Sequence, residues 1–227
     1  MTIEERAFAT LEDAADALAQ DLARNLRAAV AARDRAVLAV SGGRTPRQVF
    51  ERLRQLDADW PRVTVTLTDE RWVPADHPES NEGLARAHLL QGPAAAAAFI
   101  PLYGGEASPE AGQAACEARL VALAGPFDAI YLGLGGDGHV ASLFPGDPAL
   151  YVRDRLCAAV PGTATRQPRM TLTASAILDA RRVCLLFSGA DKYAVYAEAR
   201  VPGPLTQIPL RMLLAQDRVP ISVFKAP

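Results

Sequence analysis

Short apolar runs alternate with longer segments of helical periodicity along most of this chain, and that alternation constrains its fold more than any other feature. Leucine, alanine and valine recur at intervals of three and four residues from Leu11 to Val30, which predicts an amphipathic helix over residues 11–33. The next run, Arg35 to Ser41, is short and apolar, as buried strands are. Further strands are predicted over residues 63–67, 128–134, 170–173, 182–187 and 219–224, and further helices from Thr45, over 81–90 and over 109–124. Strands separated by helices predict an α/β fold with a mostly parallel, doubly wound, Rossmann-like sheet.

Length and charge narrow the class of protein. The 227 residues contain no repeat, linker or shift of composition, so one domain over 1–227 is expected. Twenty-four Lys and Arg against 26 Asp and Glu predict no basic surface for nucleic acid, so any anionic ligand needs a local site. The N-terminus lacks the pattern of a signal peptide and no apolar stretch suits a membrane. Cys116, Cys157 and Cys184 lack metal-ligand or disulfide spacing, which favours a reduced, cytoplasmic protein.

Two predicted strand ends are suited to binding an anion. Ser41, Gly42, Gly43 and Thr45 lie where the first apolar strand runs into a helix, with Thr45 predicted as its N-cap and Pro46 as its first residue. Glycines allow the backbone close to a ligand, and a helix N-terminus presents unpaired N–H groups. An ordinary tight turn is the alternative. After the strand over 182–187, Lys192 falls in the first turn of a helix, where a bound anion would offset its unfavourable interaction with the dipole; a solvated lysine beside Asp191 is the alternative.

A third strand end carries a candidate proton acceptor. Residues 133–138 spell G-x-G-x-x-G, but Pro145-Gly146 soon follows, and no second strand ending in an acid is predicted about 20 residues on, which argues against dinucleotide binding. Asp137 and His139 beside these glycines are the distinctive feature, since histidine takes a proton near neutral pH. A structural or merely exposed histidine is the alternative.

Two acids and an arginine end the second predicted strand. Asp69, Glu70 and Arg71 form either a solvated turn or a group that positions sugar hydroxyls and a developing negative charge. The sequence has no Walker A, H-E-x-x-H or G-x-S-x-G motif, so it gives no support for nucleotide hydrolysis, zinc proteolysis or serine esterase chemistry.

Taken together and in order, four segments resemble the 6-phosphogluconolactonases. They are residues 41–46, residues 69–71 with Ser80-Asn81, residues 133–146 and residues 169–173. The third segment, G-x-G-x-D-G-H-x-A-S-L-F-P-G, is highly specific, and the resemblance spans nearly the whole chain. Arg44 stands where a small residue is commoner, and residues 221–225 lack the tryptophan- and acid-containing ending frequent in the family.

This resemblance implies a fold of the glucosamine-6-phosphate deaminase type and hydrolysis of 6-phospho-D-glucono-1,5-lactone in the pentose phosphate pathway. It implies no cofactor and no metal, a phosphorylated sugar lactone as the small-molecule partner, and a monomer or weak dimer. Chemistry and resemblance together suggest His139, Asp137 and Arg71 as catalytic residues. The substrate-binding residues they suggest are Ser41, Gly42, Gly43, Thr45, Asp69, Glu70, Asn81, Gly135, Arg169 and Lys192.

The sequence also distinguishes this function from two alternatives. Glucosamine-6-phosphate deaminases resemble G-H-I-A-F-N-E-P in the third segment, with a glutamate five positions beyond the histidine; Phe144 stands there in this chain and transfers no proton. A non-catalytic sugar-phosphate sensor would keep the anion site, but sensors of this fold usually carry a DNA-binding segment, for which this chain has no spare length. The intact pair of Asp137 and His139 also favours an enzyme.

Overall fold

The computed structural model describes residues 3–227, and its centre is a seven-stranded parallel sheet. The strand order is β1-β10-β9-β6-β2-β3-β5. These strands are β1 Ile3–Ala7, β2 Ala36–Val40, β3 Val63–Leu67, β5 Ala98–Phe99, β6 Ala129–Gly133, β9 Val183–Ser188 and β10 Ile221–Ala226. Every neighbouring pair is parallel, so all seven strands end at the same edge of the sheet. Crossovers between parallel strands require helices, which the intervening segments provide.

Helices flank the sheet and cover its apolar side chains. Their bounds are α1 Leu11–Arg33, α2 Arg44–Leu53, α3 Asn81–His88, α4 Pro109–Val121, α5 Ala174–Leu178, α6 Ala190–Ala199 and α7 Arg211–Leu214. Short 3₁₀ turns occupy Trp60–Arg62, Gly92–Ala96 and Pro148–Tyr151. The Thr10 side chain caps the start of α1, and Asp34 ends that helix in the left-handed conformation. The mostly parallel α/β fold expected from the sequence is therefore confirmed.

A second sheet of three antiparallel strands, in the order β4-β8-β7, lies beside the first. Its strands are β4 Asp69–Arg71, β7 Cys157–Val160 and β8 Arg169–Leu172. Thr68 joins the two sheets, because its N–H donates to Val40 of β2 and its carbonyl accepts from Leu172 of β8. This junction brings β4 and β8 against the carboxyl ends of the parallel strands.

Several predicted elements differ from those observed. The second helix begins at Arg44 with Gly43 as its N-cap, so the prediction of Thr45 as N-cap is wrong. The helices predicted over 81–90 and 109–124 end earlier, at His88 and Val121. Strands β1, β4, β5 and β7 were not predicted, since each is short and none has a clear apolar alternation.

One continuous hydrophobic cluster lies between the sheet and its helices. All five residues of β2 are buried, and so are the first five residues of β9. The loops after β2, β6 and β9 leave this buried base at the carboxyl ends of the strands, where open parallel sheets form their binding sites.

Candidate active site

A cavity of about 220 Å³ opens at the carboxyl ends of β2, β6 and β9. It brings together eleven of the thirteen residues predicted for the site. They are Ser41, Gly42, Gly43, Thr45, Asp69, Arg71, Asn81, Gly135, His139, Arg169 and Lys192. The expected juxtaposition of the histidine with the glycine turn is therefore present. Glu70 and Asp137 are the two predicted residues that do not line the cavity.

One wall of the cavity is the turn from β2 into α2. Gly43 has φ 110°, which side-chain-bearing residues rarely adopt, and it leads directly into the first turn of α2. A β-carbon on Gly42 would overlap the amide of Asn81. The two glycines therefore let the backbone turn sharply beneath Asn81 and present the N-terminus of α2 to the cavity. Lys192, in the first turn of α6, is a further cation in the lining.

Glu70 has a structural role, so its predicted contact with substrate is not supported. Its side chain is fully buried and accepts four hydrogen bonds of 2.7–3.0 Å at the start of α3. The donors are the backbone N–H groups of Arg71, Asn81 and Glu82 and the hydroxyl of Ser80. Burial raises the pKa of Glu70 to about 7, although these hydrogen bonds act to lower it. Glu70 thus fixes the start of α3, which holds Asn81 over the glycine turn.

Asp69, the residue before Glu70, faces the opposite way because side chains alternate along a strand. Its carboxylate accepts a 2.6 Å hydrogen bond from Ser142 and lies 3.4 Å from the Arg169 guanidinium. Thr68 also donates to it at 3.2 Å, and Thr68 in turn contacts Ser41 at 2.8 Å. A buried polar chain therefore links the glycine turn with the segment that follows His139.

Three arginines lie close together on the side of the cavity formed by the small sheet. Burial lowers the pKa of Arg169, Asp69 acts against that shift, and the positive charges of Arg71 and Arg166 lower it further. The Nε atoms of all three arginines are buried without a hydrogen-bond partner among the described residues. Two carboxylates contact this group: that of Asp147 lies 3.3 Å from Arg166, and that of Asp69 lies 3.4 Å from Arg169. The group has donors directed at no protein acceptor, which suits it to an anionic ligand.

His139 is held by Asp137 and by the glycines of its own turn. Asp137 Oδ1 lies 2.5 Å from His139 Nδ1 and accepts from the His139 backbone N–H at 3.1 Å. Burial raises the pKa of Asp137, but the hydrogen bond and charge of His139 outweigh burial and lower it overall. Asp137 is therefore a carboxylate at neutral pH. An imidazole that carries its proton on Nδ1 donates it to this carboxylate and has Nε2 as its acceptor. A β-carbon on Gly135 would overlap the imidazole, so only glycine lets the ring lie there.

Phe144 supports the imidazole on a second side. The two ring centroids are 4.6 Å apart, and the Arg166 guanidinium lies 4.0 Å from the Phe144 centroid. Arg166 was not predicted as part of the site because it follows no recognisable motif and comes close only through the β7–β8 connection. The charge of Arg166 alone could not single it out as a site residue, because the chain has 24 Lys and Arg residues spread along its length.

The arrangement can bind an anion and accept a proton within one cavity. Among residues 3–227, no cluster of three or more His, Cys, Asp or Glu side chains is placed to hold a metal ion. Within the same part of the chain, no helix combines the length and apolarity needed to cross a membrane.

Comparison of the sequence with known protein families identifies the family of this chain. The sequence model described as "Glucosamine-6-phosphate isomerases/6-phosphogluconolactonase" matches residues 9–221. The chain therefore belongs to that family of sugar-phosphate enzymes.

Its relatives within the family include named 6-phosphogluconolactonases. The protein of that name from Mesorhizobium japonicum is 42% identical, with 97% of this chain and 94% of the relative covered. The Rhizobium meliloti 6-phosphogluconolactonase is 39% identical with 94% of each chain covered. The crystal structure of a 6-phosphogluconolactonase from Shewanella baltica superposes with a TM-score of 0.96 at 38% identity, covering 100% of this chain and 98% of the other.

Proposed function

We propose that this protein hydrolyses 6-phospho-D-glucono-1,5-lactone to 6-phosphogluconate in the oxidative pentose phosphate pathway. The observation that carries the proposal is the single cavity in which a carboxylate-oriented histidine faces an anion site built from a glycine turn and two helix N-termini. The relatives at about 40% identity bear the name of this activity, and their chains are covered almost completely. A cytoplasmic location and a monomer or weak dimer are part of the same proposal.

The 6-phosphate is assigned to the glycine turn. Backbone N–H groups at the start of α2, together with Thr45, would donate to its oxygens. Lys192 and Arg169, which line the same cavity, would complete the clamp. Each charge-assisted hydrogen bond contributes about 1.5–3 kcal/mol. Several such bonds exceed what binding alone requires, so part of their free energy can orient the lactone carbonyl for attack.

His139 is assigned as the general base. Its Nε2 accepts a proton from water as that water attacks C1 of the lactone, and Asp137 stabilises the imidazolium that results. General-base action of this kind typically contributes about 10²–10⁴-fold to the rate. The tetrahedral intermediate then collapses, the C1–O bond of the ring breaks, and the ring oxygen recovers a proton from protonated His139.

Arg71 is assigned to the developing negative charge on the carbonyl oxygen. One of its Nη atoms donates to the carbonyl of Glu79 at 2.7 Å, which fixes the guanidinium at the cavity wall. Its Nε–H has no partner among the described residues. A preorganised donor in such a position contributes about 3 kcal/mol to stabilising an oxyanion.

A rapid assay of freshly prepared lactone tests this function, because the substrate also hydrolyses without an enzyme. The proton released on ring opening is followed with a pH indicator, and the uncatalysed rate is subtracted. We expect fast turnover of the phosphorylated lactone and much slower turnover of unphosphorylated gluconolactone. Equal rates on both lactones would contradict the assigned anion site, and no acceleration of either would contradict the function.

The deaminase alternative is tested in the same preparation. Phe144 packs against His139 at the position where deaminases have a glutamate, so the proton transfers of ring opening and isomerisation lack a group there. Incubation with glucosamine 6-phosphate should release no ammonia. Ammonia release at a rate comparable to lactone hydrolysis would favour the alternative.

A further inference from the structure

Arg211 is a buried cation that no carboxylate neutralises. Its side chain, at the start of α7, is only 5% exposed, and it takes part in none of the ion pairs formed among residues 3–227. The guanidinium instead donates to three backbone carbonyls, those of Val201 at 3.1 Å, Pro204 at 3.1 Å and Glu198 at 3.4 Å. Burying an unpaired charge is costly, so an arginine in this position calls for a specific reason.

The three acceptors lie along residues 198–210, named the 198–210 segment: Glu198 is in the last turn of α6, and Val201 and Pro204 are in the irregular backbone that follows. It connects the end of α6 with α7. A β-carbon on Gly203 would lie 2.6 Å from the Arg211 Cζ atom, so the segment wraps closely around the guanidinium. Arg211 therefore serves as the internal support of a loop with no regular structure of its own.

The far end of this segment holds the turn that carries His139. The N–H of Leu210 donates to the carbonyl of Gly138 at 2.9 Å. Ile208, buried, packs so closely on Gly138 that a β-carbon there would lie 2.6 Å from its Cγ2 atom. Gly138 has φ 82°, so its backbone conformation depends on both the absence of a side chain and this outside contact.

The carbonyl of Gly138 and the N–H of His139 belong to the same planar peptide group. Leu210 holds the carbonyl end, and the Asp137 carboxylate accepts from the N–H end at 3.1 Å through Oδ1. The same Oδ1 atom lies 2.5 Å from His139 Nδ1. Rotation of that peptide group would therefore withdraw the N–H from Asp137 and disturb the alignment of carboxylate and imidazole.

We infer that Arg211 is a positioning residue for the reaction: through the 198–210 segment it fixes the Gly138–His139 peptide group and hence the orientation of the His139 imidazole. The inference rests on the proposed function, in which His139 is the general base. Arg211 does not line the cavity and touches no group assigned to the phosphate. Its loss should therefore lower kcat and leave substrate affinity nearly unchanged.

Arg211→Lys is the principal test variant, because lysine keeps the charge but cannot donate to three separated carbonyls in a plane. We expect kcat to fall about 10- to 100-fold, since small misplacements of a catalytic group have effects of that size. KM should stay within about twofold of the parent value, as expected when an interaction acts only in the transition state. A kcat within twofold of the parent would overturn the inference, as would a rise in KM that accounts for the whole loss.

Arg119→Lys is the matched control. Arg119 also donates to backbone carbonyls, those of Pro101 at 3.1 Å and Leu102 at 2.9 Å, but it lies on α4 and does not line the cavity. Its replacement should lower the melting temperature without lowering kcat. If both variants lost kcat in proportion to their loss of stability, Arg211 would have a structural role only.

Two further variants keep the test open should Arg211→Lys fail to fold. Gly203→Ala introduces a β-carbon at an exposed position and displaces the guanidinium from its acceptors. Arg211→Ala leaves a space with three free carbonyls, which guanidinium ion added at a concentration below that which unfolds the protein should fill. Selective loss of kcat in the first and recovery of kcat by guanidinium in the second support the inference. Full activity of Gly203→Ala with its guanidinium displaced would overturn it.

Hydrogen exchange separates this inference from the proposed function. The Leu210 and His139 amides should exchange faster in Arg211→Lys than in the parent, while the amides of α2 keep their protection. If the parent hydrolysed no lactone, the function would fail, but the exchange result would still report on the link between Arg211 and the His139 turn. Unchanged exchange at both amides would overturn the inference whatever the activity.

Discussion

The two halves of the cavity are built in different ways. The anion half consists mainly of backbone: the glycine turn after β2 and the N-termini of α2 and α6. The proton-accepting half consists of side chains, because His139 depends on Asp137 beside it and Phe144 behind it. The glycine turn of the first half follows from a strand that runs directly into a helix. The neighbours of His139 in the second half are also local in sequence, but distant residues hold them in place: Arg166 lies on the Phe144 ring, and Leu210 donates to the carbonyl of Gly138.

This difference predicts how each half responds to change. Substitutions in the side-chain half should act on kcat, and substitutions in the backbone half should act on KM for the phosphorylated substrate.

The largest effect is expected for His139→Gln. Glutamine retains a hydrogen-bonding side chain but accepts no proton, so kcat should fall about 10²–10⁴-fold, the typical contribution of a general base. KM should change little, because the phosphate contacts lie in the other half. Steady-state kinetics of the rapid lactone assay measure both constants. Turnover near the parent value would exclude His139 as the base.

Two glycine substitutions compare the halves directly. Gly135→Ala places a β-carbon in the imidazole of His139, and Gly42→Ala places one in the amide of Asn81. A displaced base should lower kcat about 10²-fold, as misplacement of a catalytic group commonly does. A displaced Asn81 should instead raise KM. Kinetics on protein shown to be folded by circular dichroism give the comparison, and the same kinetic defect in both variants would contradict the separation.

Lys192→Met should have a smaller effect, confined to the phosphorylated substrate. Loss of one charge-assisted contact, about 1.5–3 kcal/mol, corresponds to a rise in KM of roughly 10- to 100-fold. Hydrolysis of unphosphorylated gluconolactone should be unaffected, since that substrate has no phosphate for the lysine to contact. An equal loss on both lactones would remove Lys192 from the phosphate clamp.

Glu70→Gln should affect stability more than chemistry. The amide can accept on only one of its two atoms, so at least one donor at the start of α3 loses its partner, at a cost of about 1–3 kcal/mol in the free energy of unfolding. Burial raises the pKa of Glu70 to about 7 from its ordinary 4.5, so its contribution to stability is full below pH 4.5 and is lost as the pH rises through about 7. Urea unfolding from pH 4.5 to 8 should show this decline in the parent and not in the variant. The same decline in both proteins would contradict it.

Local patterns were sufficient to predict the parts of the molecule that local rules govern. The first helix runs over Leu11–Arg33 as predicted, because its apolar spacing, its Thr10 cap and its left-handed end at Asp34 all lie in neighbouring residues. The prediction of a parallel sheet followed from alternation alone. Strand β1, by contrast, reads Ile-Glu-Glu-Arg-Ala and gives no apolar signal, because it is an edge strand that hydrogen-bonds to β10 more than 200 residues later.

In the site, too, the sequence did not predict roles that depend on contacts with distant parts of the chain. Asp69 and Glu70 were indistinguishable in the sequence, and only the alternation along the unpredicted strand β4 sends one to the cavity and the other beneath α3. Arg166 and Arg211 act through a ring face and through backbone carbonyls, and neither kind of contact leaves a motif. The motif around His139 identified the reacting group, while the residues that hold it in place required the structure.

A crystal structure with 6-phosphogluconate bound would test most directly whether one small molecule spans both halves. We predict its phosphate on the N–H groups of Gly43 and Thr45 with Lys192 beside it, and its carboxylate within hydrogen-bond distance of His139 Nε2. The reverse orientation, or a phosphate held by Arg166 and remote from the glycine turn, would contradict the division of the cavity described above.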